Sequence, residues 1–402
     1  SYPSGHSAEV SVRCRGLVAR FSVAIGDEPA PPRPDDTWRL QAPDGGNTGN
    51  AWVYRAPGRS EVLNPVILVE GFPGSHPCDY MYELLNQQGL LERLRAAGHD
   101  VVIVGLDQGM DVIQRNAPVL IECIREAVRR TPEPLVVGGV SMGGIVSRYA
   151  LAQMESAGEE HRTHTFVSID SPHDGTYTSL GVQWFVHALL PLAPALGGFA
   201  ALIDSPSNQQ LIKYWLHDGK VGASPLREQL LRDLAAVGGW PRKPRRIAVS
   251  CGRGDGAGDA TVPGGNVLTW DGEPFVSVSV NTLPATGTGT VAEGSWFLGQ
   301  LPTLVAGDGV AWDGAPGARG DYHGRISAIA AGFGCGSVRH AFDSTCSVPT
   351  VSALAVEQDP YEPVSAGSPF HDYACSSQNE PHLAIEPEMA DWLLQQIGTP
   401  GG

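Results

Sequence analysis

Short apolar runs of the kind that form buried strands begin near Val66 (VILV), Val101 (VVIVGL), Leu135 (LVVGG) and Thr165 (TFVSI). They stand about thirty to thirty-five residues apart with helical patterns between them, the spacing of strand-helix crossovers. This rhythm predicts a mostly parallel sheet with helices on both faces. The first intervening helix is predicted over about Tyr80 to Ala97 with an interruption at Gly89. The second carries Val119, Leu120, Cys123, Ile124, Ala127 and Val128 on one face, a 3.6-residue stripe that reads as core packing.

Upstream the period changes to two. Alternation from Glu9 to Val23 around Gly16 predicts an antiparallel hairpin. Short strands at Trp38 to Leu40 and Ala51 to Tyr54 flank the turn-forming Pro43-Asp44-Gly45-Gly46 and predict an antiparallel edge to the sheet.

Downstream the next parallel strand, Arg246 to Cys251, follows only after a long gap. Residues 176–244 therefore read as an insertion. Its first part holds Trp184, Phe185, Leu189, Leu190, Leu196, Phe199 and Leu202. Pro191, Pro194, Gly197 and Gly198 interrupt it, which argues against a membrane span and for a helical cap or for buried helices. Residues 264–340 turn to Val, Thr, Trp and Gly and predict β hairpins, with Trp270, Trp296 and Trp312 as their core. Met389, Trp392, Leu393 and Ile397 recur at helical spacing and predict a closing helix over Pro387 to Ile397. The whole, 1–402, reads as one domain carrying two elaborations.

Composition narrows the choice of partner. Lys+Arg 27 against Asp+Glu 43 give a net charge of -16, which repels phosphate backbones, so nucleic acid is not expected as a partner. The seven cysteines show no C-x-x-C pair and no zinc-type spacing, and no metal or organic cofactor is implied. Cys123 and Cys251 fall on apolar positions. Cys335, Cys346 and Cys375 lie in a loop-rich third where a disulfide would be useful. The sequence starts at Ser1 with no basic or apolar leader, which fits a mature exported form or simply a boundary of the sequence. Export is the expectation; oligomeric state is not legible.

The candidate chemistry sits where the third apolar run ends. Gly139-Val140-Ser141-Met142-Gly143 follows a strand pattern and leads into a helical one (Ile145, Val146, Tyr149, Ala150, Met154), the context of a strand-turn-helix nucleophile elbow. A serine hydroxyl needs a base, and the base a carboxylate. His382, just before the closing helix, is the candidate base, with His371 and His340 as competitors. For the acid, the glycine-rich loop after the Arg246 strand offers Asp255 first and Asp259 second. Asp170, directly after the Thr165 strand, ranks third. The oxyanion donors are expected to be the N–H of Met142 and, from the loop Val69-Glu70-Gly71-Phe72-Pro73-Gly74, the N–H of Phe72.

These motifs resemble those of bacterial lipases and esterases with the α/β-hydrolase fold. Glu70 to Gly74 is similar to their His-Gly-Phe-Pro-Gly loop, with glutamate in place of histidine. Ser171-Pro172-His173-Asp174-Gly175 looks like their Ser-Pro-His-x-Gly segment, in which His173 would be structural. The resemblance implies an α/β-hydrolase fold and cleavage of carboxylic esters through an acyl-enzyme, as in a lipase, esterase or polyester hydrolase, and the apolar insertion favours a hydrophobic acyl ester as the partner molecule. An acyltransferase or thioesterase using the same residues is the alternative, and a non-catalytic binding protein a lesser one.

Overall fold

The structure, a computed structural model, describes residues 30–398 except 273 and 298, together with the backbone of two strands in 6–25. The chain divides into two units, Ser1–Arg33 and Pro34–Gly402. In the first, His6–Cys14 pairs antiparallel with Leu17–Ile25. The turn expected at Gly16 lies outside the described residues. The single domain expected over 1–402 is thus the second unit alone.

In that unit eight strands build the main sheet: β1 (Asp36–Gln41), β2 (Thr48–Tyr54), β3 (Pro65–Val69), β4 (Asp100–Leu106), β5 (Leu135–Val140), β6 (Thr163–Ile169), β7 (Arg245–Arg253) and β8 (Asp372–Ser376). Their spatial order is β1-β2-β4-β3-β5-β6-β7-β8. Strands β3 to β8 run parallel, while β2 pairs antiparallel with β4 and β1 with β2.

The Val/Ile/Leu content of β3, β4 and β5 follows from burial on both faces. Ile67, Val69, Val102, Val104 and Val137 point to one side, where helices Ile113–Arg130 and Met142–Ser156 cover them. The alternate residues Val66, Leu68, Val101, Ile103 and Val136 meet helices Cys78–Leu85, Leu90–Ala96 and Pro387–Ile397 on the other. The period-two alternation of side chains along each strand thus makes two cores from one run of apolar residues.

The two long connections leave this sheet at its β6 and β7 ends. Between β6 and β7 the chain forms helices Leu180–Leu189, Gly197–Ile203, Pro206–Leu211 and Pro225–Ala236 and a small hairpin, Trp215–His217 with Lys220–Gly222. Between β7 and β8 lies a six-stranded sheet that runs from Asn266 to His340. The two connections share a core: Phe185, Val186 and Leu189 of the first helix pack with Trp270, Val278, Val280 and Trp312. Helix Leu180–Leu189 spends its apolar face on this core. Cys335, Cys346 and Cys375 are free thiols, and no disulfide joins them; burial pushes the thiols of Cys346 and Cys375 up.

At the seam of this second core sits a buried acid. Asp313 Oδ2 accepts hydrogen bonds from Tyr177 OH (3.2 Å) and the Leu283 N–H (2.8 Å), while Oδ1 has no partner. Burial raises its pKa to about 6. A carboxyl raised in the folded state contributes stability that is fully present below its unfolded value and lost as pH rises through 6. Against an Asp313→Asn variant, the parent should therefore gain about 2 kcal/mol on going from pH 7 to pH 4. Urea unfolding of both proteins at the two pH values measures this; parallel pH profiles would contradict it.

Candidate active site

Strand β5 ends at Val140 and helix Met142–Ser156 begins one residue later, so the chain reverses across Ser141 alone. The reversal forces Ser141 to φ 53°, ψ -125°, a conformation that a non-glycine residue adopts only under constraint. Close packing supplies that constraint. A Cβ on Gly143 would stand 2.2 Å from the Val69 carbonyl oxygen, so only glycine lets the helix start against β3. The Ser141 N–H donates to Ile169 O at 2.9 Å and ties the turn to β6.

His382 reaches the serine from the loop before the last helix. Its Nε2 lies 2.9 Å from Ser141 Oγ. Its Nδ1 lies 2.6 Å from Asp170 Oδ2, and the other oxygen, Oδ1, accepts the Cys251 N–H at 3.0 Å. Asp170 is fully buried and sits at φ 48°, just beyond the end of β6. An eight-strand sheet in the order 1-2-4-3-5-6-7-8, a serine turn after β5 and a histidine before the last helix are now in place. The chain has the α/β-hydrolase fold.

In this hydrolase fold the sequence ranking of the acids is reversed. Asp255 is turned to Arg253, with Oδ1 3.0 Å from Nε, and its side chain is more than half exposed. That guanidinium holds its carboxyl down at about 2. Asp259 accepts from Asn379 Nδ2 (3.2 Å) and pairs with Arg319. Neither is bonded to His382. The signal that favours Asp170 was present in the sequence: it follows a strand apolar enough to be buried and has no basic residue close by, whereas Asp255 has Arg253 two positions away. His371 is also elsewhere, accepting the Arg246 N–H through Nδ1 (2.9 Å). His340 is engaged by Ser327 and Asp343.

The loop after β3 lies against the serine: a Cβ on Gly71 would be 3.1 Å from Ser141 Cβ. Met142 opens a helix, so its N–H lacks an intrahelical acceptor, and the helix dipole favours negative charge there. The side chain of Phe72 lines the adjoining cavity. Glu70, the residue that departs from the family pattern, supports this loop. Its carboxylate is fully buried and accepts the N–H groups of Ser75 (3.1 Å), His76 (3.2 Å) and Leu106, and it meets His76 Nδ1 at 2.7 Å. Glutamate thus gathers four donors from the loop and from β4. His76 in turn stacks on Tyr80 at 5.1 Å.

A cavity of about 580 Å³ opens onto His382. Phe72, Phe199, Leu202 and Ile203 supply apolar lining, so the second insertion helix, not the first, borders the site. Tyr322 and Arg325 add polar lining from the opposite connection. His173 is remote in role: buried, it pairs with Ser168 Oγ (2.8 Å) and packs on Trp240 and Phe370. Burial holds it well below the usual histidine range. Among the described residues, no group of three or more His, Cys, Asp or Glu side chains could hold a metal ion, and no helix is long and apolar enough to cross a membrane.

Neither a protein-family model nor a curated protein sequence matches the chain. Among solved structures it is similar to esterase Est1E from Butyrivibrio proteoclasticus, at 15% identity over 53% of this chain and 77% of that one, with a TM-score of 0.32. It is also similar to an esterase from Pyrobaculum calidifontis (13% identity, 54% and 65% coverage, TM-score 0.33) and to esterase Est22 (15%, 54% and 64%, 0.35). Likeness at this level assigns no activity; the fold stands on the strand order and the serine turn.

Proposed function

We propose that this protein is a serine hydrolase that cleaves carboxylic esters through an acyl-enzyme. The observation that carries the reading is the continuous relay Asp170–His382–Ser141, joined by contacts of 2.6 and 2.9 Å. In this reading His382 takes the hydroxyl proton as Ser141 Oγ attacks the ester carbonyl. It then gives that proton to the departing alkoxide. Asp170 keeps the Nδ1 proton in place and stabilises the imidazolium that forms. The N–H groups of Met142 and Phe72 receive the charge on the carbonyl oxygen. Water, deprotonated by the same histidine, releases the acid.

The apolar lining by Phe199, Leu202 and Ile203 favours an ester with a hydrophobic acyl group over a small, polar one. A p-nitrophenyl ester series from acetate to dodecanoate tests this. The expected result is saturable hydrolysis with kcat/KM rising beyond acetate as the cavity fills, and loss of all activity on treatment with a fluorophosphonate. No hydrolysis of any member would reject the reading. Capture of the acyl group by added alcohol faster than by water would move it to acyl transfer.

A further inference from the structure

The residues that carry His382, from Ser377 to Glu386, contain no helix or strand of their own between β8 and the final helix. Their position is set by bonds to the rest of the chain. On the upstream side Asn379 Oδ1 accepts the N–H groups of Arg253 (3.1 Å) and Gly317 (3.0 Å), and the backbone of Arg319 pairs with that of Glu380 (2.8 Å) and His382 (3.0 Å). Downstream, the next residue, Leu383, is held at φ 68°, a left-handed conformation that costs a branched side chain about 1 kcal/mol or more. Something must hold it there.

That support comes from a residue about three hundred positions away in sequence. Gln87 lies in the single turn Gln87–Gly89 between helices Cys78–Leu85 and Leu90–Ala96. Its Nε2 donates to Leu383 O (2.8 Å) and to Leu84 O (2.8 Å), and its Oε1 accepts the Ile385 N–H (3.1 Å). One amide therefore bonds the first and third residues after the histidine and anchors both to the end of a packed helix. The amide presents two donor hydrogens and an acceptor oxygen together, which matches the two carbonyls and the one N–H that it meets. Nothing in the local sequence around Gln87 marks it.

We propose that Gln87 is a positioning residue for His382: by fixing Leu383 and Ile385 it keeps the imidazole between Asp170 and Ser141. The proposal rests on the reading of Ser141 and His382 as nucleophile and base. It requires that loosening the loop reduces turnover while leaving the substrate cavity, to which Gln87 contributes no lining, unchanged.

The test compares the parent with Gln87→Met, which removes donor and acceptor at similar length, and Gln87→Glu, which keeps the acceptor and turns a carboxylate oxygen toward Leu383 O. Active sites are counted by a fluorophosphonate, with the labelled peptide identified, so that misfolded protein drops out of the rate. Per titrated site, kcat on a p-nitrophenyl ester should fall about 10- to 100-fold in both variants, the scale of an ångström-level misplacement. KM should stay within about twofold of the parent, and labelling should slow in proportion. A purely structural role would lower the number of titrated sites and leave kcat per site unchanged, which overturns the proposal. A parent that takes no label at Ser141 would overturn the underlying reading as well, so the two failures are told apart by the parent alone.

Discussion

Asp170→Asn should lower kcat by about four orders of magnitude, with KM little changed, because it installs the wrong histidine tautomer. The two oxygens of Asp170 face two donors, His382 Nδ1 and the Cys251 N–H. An asparagine has one acceptor oxygen for these two places. With its NH2 toward His382 it donates to Nδ1, which moves the ring proton to Nε2 and leaves Ser141 without a base. With its NH2 toward Cys251 two donors collide in a buried site, at a cost of about 1–3 kcal/mol. The first arrangement is the cheaper and the inactive one. Asp255→Asn, which loses only a half-exposed pair with Arg253, should retain activity within about twofold. Steady-state kinetics on the two variants decides between the acids; an active Asp170→Asn protein would remove Asp170 from the relay.

The second large effect is expected at Glu70, which takes no part in the proton transfer. Glu70→Gln replaces one acceptor oxygen by a donor in a place where Ser75, His76 and Leu106 all present donors. The loop must then shift to relieve the clash, and Phe72 shifts with it. Losing one oxyanion donor typically costs about a hundred- to a thousandfold in turnover, and that loss in kcat is expected here. The variant should still be labelled by a fluorophosphonate, more slowly, because serine, histidine and Asp170 are untouched. Unaltered kcat would show that the loop does not depend on the glutamate.

What the sequence made legible follows the strength of local pattern. Strands β3 to β5 announce themselves because burial on both faces makes them rich in Val, Ile and Leu, and the serine turn because glycine is required where the helix meets Val69. His382 was legible from its place before the closing helix. The acid was legible only in part, because several aspartates stand at strand ends: Arg253, two positions away, marks Asp255 as paired, but Arg319 reaches Asp259 only in the fold. Gln87 was invisible, since its contact with Leu383 spans 296 residues. The partner of helix Leu180–Leu189 was illegible for a related reason. Apolarity states that a surface is covered, and only the structure shows that Val280 and its sheet cover it.

The central claim, that Ser141 forms an acyl-enzyme, is tested most directly by rapid mixing with a p-nitrophenyl ester followed by acid quench and mass spectrometry. The expected result is a burst of p-nitrophenol approaching one equivalent per enzyme, with the acyl mass on the peptide that contains Ser141. A burst with the acyl group on another residue, or turnover with no acylated peptide at any time, would contradict it.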